Sequence, residues 1–148
     1  MRILIILLFI SFNSFGQTYD DLMSINDLNS FKRVMIENNY RLFDSYKEDD
    51  VLRIESYTST GGLKSASYFL LTEFFYFFIN KSDLIETETL YDKIYSQVKN
   101  KCEYVGIHTS NRDYACYECK DAKFKGVLGF ALTQRMAYIQ QILDFKKD

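Results

Sequence analysis

The chain reads as an α+β protein: two tandem α-β-β-β-β units forming antiparallel sheet, with both helices on one face. Three observations carry this reading. Apolar residues recur at helical spacing in two places, and each helical stretch is followed by four strand-like runs. The second set repeats the order of the first at an offset near 60 residues, superposing Phe31 on Tyr91, Val34 on Ile94 and Met35 on Tyr95. The repeat-like halves, about 24–80 and 87–143, make up one α+β domain over 17–148.

The first helix lies between Ser24 and Asn39. Leu28, Phe31, Val34 and Met35 make its apolar stripe, and Ser24 with Asp27, or Asn26 alone, supplies the cap. Strand patterns follow over Tyr40–Phe43, Val51–Tyr57, Lys64–Leu71 and Phe74–Ile79. Asp49-Asp50, Gly61-Gly62 and a turn near Leu71–Glu73 separate them. In the second half Thr87 or Thr89 caps a helix whose apolar face is Leu90, Tyr91, Ile94, Tyr95 and Val98. Strands are expected at Cys102–Ile107, Tyr114–Cys119, Phe124–Leu132 and Arg135–Ile142. Each helix has one apolar face to bury against one face of a meander, which leaves the other sheet face uncovered.

Residues 1–16 have the form of a cleaved signal peptide. Arg2 is the positive n-region, Ile3–Ile10 the apolar core, and Ser14 and Gly16 the small residues before cleavage. The polar residues Ser11, Asn13 and Ser14 cut the run far short of the ~20 residues that span a bilayer. No Cys follows the run to take a lipid. The product is expected to be exported, periplasmic or secreted, with no membrane span after cleavage. The net charge of -2 becomes one unit more negative when Arg2 leaves, and charges of both signs are spread along the chain. That distribution makes no case for nucleic acid or an anionic membrane surface. Pro is absent, so nothing in the composition interrupts sheet pairing.

Export turns Cys102, Cys116 and Cys119 into disulfide candidates. Cys116 and Cys119 have the CxxC spacing of redox enzymes, but they fall in a strand-like run, where residues three apart face opposite ways. A hairpin centred between Ser110 and Asn111 instead puts Cys102 across from Cys119. It closes a loop contributing on the order of 3 kcal/mol. A one-residue slip favours Cys102 with Cys116, and free thiols are the remaining alternative. That hairpin also sets Glu103 against Glu118, a mild objection to it.

Other chemistry is sparse. His108 is the only histidine and has no cluster of metal ligands around it, so no metal or cofactor is expected. Glu48-Asp49-Asp50 lacks the spaced ligands of a calcium loop. Glu55 and Glu118 occupy matching places in the two halves, which is not the same as proximity. Catalytic residues are therefore not assigned.

The run Glu73–Ile79 is aromatic on both faces. Turns at Leu71-Thr72 and Thr133-Gln134 pair Tyr68 with Phe75, Ala66 with Phe77, Phe130 with Ala137 and Leu128 with Ile139 toward the helices. Phe74, Tyr76, Phe78, Met136, Tyr138 and Gln140 then share the other face, beside Ser65, Ser67, Gly129 and Ala131. Aromatics with polar tips beside small residues form a shallow surface suited to a protein partner. The alternative is that a loop, the other half or a second subunit covers this face.

In architecture the pattern resembles the exported tandem-repeat inhibitory proteins of the β-lactamase-inhibitor type, which use an open sheet face to hold their target. The expected function is a small exported non-enzymatic binding module: an inhibitor, an immunity-type protein or a periplasmic accessory protein. An exported Cys/His-dependent enzyme and a structural envelope component are the competing readings. Oligomeric state is not legible.

Overall fold

A computed structural model describes residues 18–62, 64–80, 90–134 and 136–146. The expected signal peptide lies outside these residues, as do Thr87, Thr89 and Arg135. Among the described residues no helix is long and apolar enough to cross a membrane.

The element order is α1 (Tyr19–Met23), α2 (Leu28–Glu37), β1 (Tyr40–Glu48), β2 (Val51–Ser59), β3 (Lys64–Phe69) and β4 (Phe74–Asn80). It continues with α3 (Leu90–Lys101), β5 (Glu103–Thr109), β6 (Asp113–Glu118), β7 (Val127–Leu132) and β8 (Met136–Ile142). The eight strands form a single antiparallel sheet in the order β1-β2-β3-β4-β8-β7-β6-β5, joined through β4 and β8.

Short α1 was not expected from periodicity, since five residues barely complete a turn. Its start was nevertheless written in the chain. Thr18 and Asp21 form a capping box, each side chain accepting from the other's backbone N–H. Asp27 caps α2, with its carboxylate accepting from the Ser30 amide and the Ser30 hydroxyl taking the Asp27 amide. The single-residue cap belongs to Asp27, and neither Ser24 nor Asn26 takes that role.

Both long helices lie over the same sheet face. Phe31 of α2 meets the rings of Tyr57, Tyr68 and Phe77, at centroid distances of 5.8, 5.4 and 6.0 Å. Tyr95 of α3 packs 4.9 Å from Phe130 and 5.8 Å from Tyr117. Tyr91, Ile94 and Val98 are fully buried with them, and α1 adds Tyr19, Leu22 and Met23 to this core.

Two hairpins differ from the expected register. Thr133 N–H donates to the Met136 carbonyl at 2.8 Å, and the Met136 amide donates to Thr133 Oγ1 at 3.0 Å. That exchange moves the β7–β8 turn one residue along, so Phe130 pairs with Ile139 and Leu128 with Gln141. A shift of two in the pairing sum leaves every side chain on its original face. In β5–β6 the turn recentres on Asn111, pairing His108 with Tyr114 and Gly106 with Cys116. A bulge between Tyr104 and Gly106 absorbs the extra residue and restores Tyr104 opposite Tyr117. Beyond that bulge Cys102 and Cys119 meet as a disulfide, with Cα atoms 4.5 Å apart.

Candidate functional site

The face away from the helices carries the candidate surface. Its rows follow from the register: Phe69–Phe74, then Ser67–Tyr76–Gln140–Gly129–Cys116, then Ser65–Phe78–Tyr138–Ala131. Phe74, Tyr76, Met136, Tyr138 and Gln140 are all half-buried, and Phe78 is placed by its backbone between Ser65 and Tyr138. The small residues Ser65, Ser67, Gly129 and Ala131 flank them in the same rows.

Phe69, Phe74 and Tyr76 form a continuous run of rings, with centroids 4.9, 5.8 and 6.1 Å apart pairwise. Next to it Tyr138 lies under the Arg112 guanidinium, 3.7 Å from its carbon to the ring centroid. This contact sets the cation over an aromatic face. Tyr76, Met136, Tyr138 and Gln140 thus line a shallow groove of about 360 Å³, to which Asn111 and Arg112 of the β5–β6 turn also contribute. Sequence reasoning missed Arg112. It sits in a turn, and only the β6–β7–β8 register carries it over Tyr138.

Part of this face is filled by the protein itself. Tyr114, Cys116, Val127, Ala131 and Ile142 form a second, smaller core, with Val105, Tyr138 and Phe145 packed against it. Phe145 comes back over β5 where Gly106 offers no side chain: a Cβ there would stand 3.4 Å from the Phe145 ring. Gly129 serves the same core, since a Cβ would meet the Tyr114 Cβ at 3.1 Å. Among the described residues, the area left uncovered is consequently the β3–β4–β8 portion.

The remaining sequence candidates separate. Cys116 is fully buried on this face, its thiol donating to the Tyr114 carbonyl at 3.4 Å, and burial pushes its pKa up. Cys119, on the helix side, is in the disulfide. His108 is half-exposed on edge strand β5. Glu55 lies on the helix side in β2, with its carboxylate 2.8 Å from Lys32 Nζ and accepting from the Tyr57 hydroxyl at 2.9 Å. Glu118 is exposed on β6, with four strands lying between it and β2 in the sheet order, so the two carboxylates are not brought together. Asp49 and Asp50, at φ 49° and 61°, make a two-residue turn joining β1 to β2. Among the described residues no group of three or more His, Cys, Asp or Glu side chains is placed to hold a metal.

Compared with protein-family models, curated proteins and solved structures, the chain finds no significant match. The architectural resemblance to inhibitory proteins therefore gains no support from a solved structure.

Proposed function

We propose that this chain is a small exported, non-enzymatic binding module that engages a protein partner through the aromatic sheet face of Phe74, Tyr76, Phe78, Met136 and Tyr138. The observation that carries the reading is the contrast between the two faces. Beneath α2 and α3 the rings of Phe31, Tyr57, Phe75, Phe77, Tyr91 and Phe130 are buried, whereas Phe74, Tyr76 and Tyr138 stay partly exposed, and among the described residues no helix lies over them. Rigid rings with polar tips lose little conformational freedom on binding and are favoured anchors. Arg112 beside them adds a planar cation able to meet a carboxylate of the partner. Residues 1–16 act as the export signal, and the element order α2-β1-β2-β3-β4 followed by α3-β5-β6-β7-β8 is the tandem α-β4 repeat.

The test is comparative capture. Purified protein, its Tyr76→Ala and Tyr138→Ala variants, and an Ile36→Ala control on the helix side are immobilised. Each is exposed to envelope and culture-medium fractions. One protein should be retained by the native chain and the control, and bound at least about tenfold more weakly by the tyrosine variants. Equal retention by all four, or a loss of many degrees in the thermal midpoint of the Tyr76→Ala variant, would refute the reading.

A further inference from the structure

A cavity lies on the opposite, helix-bearing face and has no part in the proposed partner surface. It holds about 330 Å³, at the lower end of the ~300–1,000 Å³ range of small-molecule sites. The α1–α2 connection supplies Ile25 and Asn26, the β3–β4 hairpin Tyr68 and Phe75, and the segment before β7 Phe124. Lys123, Lys125 and Glu73 stand at its exposed rim.

Gln141 closes one wall. Its pairing with Leu128 places its side chain on the helix side, level with Tyr68 and Phe75, and only 2 % of its surface is exposed. The amide Nε2 donates to the Lys125 carbonyl at 2.7 Å, which fixes which end of the carboxamide faces which way. Oε1 is left buried with no donor. A buried acceptor without a partner carries a desolvation cost that a ligand can relieve. The inner wall of Ile25, Tyr68, Phe75 and Phe124 is apolar, while Asn26, Thr72 and the charged side chains stand around it. Burial raises the Tyr68 phenol, with Glu73 and Asp27 adding to the effect, so that wall stays uncharged.

We propose that this cavity binds a small apolar-bodied molecule through an uncharged hydrogen-bond donor, a carboxamide or hydroxyl, delivered to Gln141 Oε1. An ammonium head fits poorly, since a neutral carboxamide cannot compensate its desolvation. The apolar body rests against Ile25, Phe75 and Phe124.

Phenylacetamide and methyl phenylacetate are matched probes: similar body and carbonyl, but only the amide donates. Titration of the isotope-labelled protein followed by NMR should show saturable shifts at Phe75, Phe124 and Gln141. The amide should bind about five- to tenfold tighter than the ester. Gln141→Met should bring the two probes to equal affinity while its spectrum stays that of a folded protein. Should that variant fail to fold, the amide-to-ester ratio on the native chain decides alone. Equal affinities there, or no saturable binding of the amide, overturn the proposal. Because Tyr76 and Tyr138 lie on the other face, neither result bears on partner capture.

Discussion

A carboxylate inside an aromatic core needs a cation and a donor, and Glu55 has both in Lys32 and Tyr57. Removing the cation leaves the charge buried, so Lys32→Met should destabilise the protein. Because Lys32 is about a third exposed, the cost is discounted to about 1–2 kcal/mol, readable in urea denaturation. Glu55→Gln should cost less, since its amide still reaches the Tyr57 hydroxyl. The pairing of Glu55 with Glu118 by sequence position shows the limit of pattern at this level. Equal places in two halves say nothing about surroundings, since Glu55 is buried beneath α2 and Glu118 stands exposed on β6. The candidate face was better legible. Period-two alternation in Phe74–Asn80 and Met136–Ile142 assigns each side chain to a side once the turns are placed. Arg112 and the orphaned Gln141 oxygen were not legible, because each depends on atoms brought together by several strands.

In the β5–β6 hairpin, turn and bulge act as one element. The turn slips by a residue, Gly106 at φ 131° takes up the slip, and the disulfide sits where an unslipped hairpin would have put it. The register error at the turn was thus hidden by the bulge, which no residue pattern announces beyond a glycine in a strand. The disulfide closes a sequence separation of 17, and Cys102→Ser with Cys119→Ser should lower unfolding free energy by about 3 kcal/mol. Unchanged stability in denaturant would show that the bridge does no work. The loop entering β7 is as constrained. Gly126 has φ 84°, and a Cβ there would collide with the Ile142 carbonyl, so Gly126→Ala should cost more than about 1 kcal/mol. This glycine also explains why β7 begins at Val127 and not at Phe124. The strand cannot start until the chain has turned through a left-handed residue lying against β8.

Taken whole, the molecule is one eight-stranded sheet with its helices and main core on one side and a partly filled aromatic surface on the other. The count and order of the strands and the sidedness of both helices follow from hydrophobic period and turn residues. The junction of β4 with β8 does not, since two sheet edges can pair or pack with the same local pattern. The core is rich in tyrosine, and burial raises the phenols of Tyr19, Tyr40, Tyr57, Tyr91 and Tyr117. A raised native pKa favours the protonated, folded form. Its contribution is complete below the unfolded value near pH ~10 and is lost as pH climbs through the native values. In an alkaline titration these phenols should ionise together with the loss of ellipticity; their ionisation in a fully folded protein would contradict the burial. The two faces are distinguished by photo-cross-linking, with benzoylphenylalanine at position 76 or, on the helix side, at position 36, where Ile36 is 69 % exposed. The binding-module reading predicts one discrete protein adduct from position 76 and none from position 36. An adduct from position 36 with none from position 76 would contradict it.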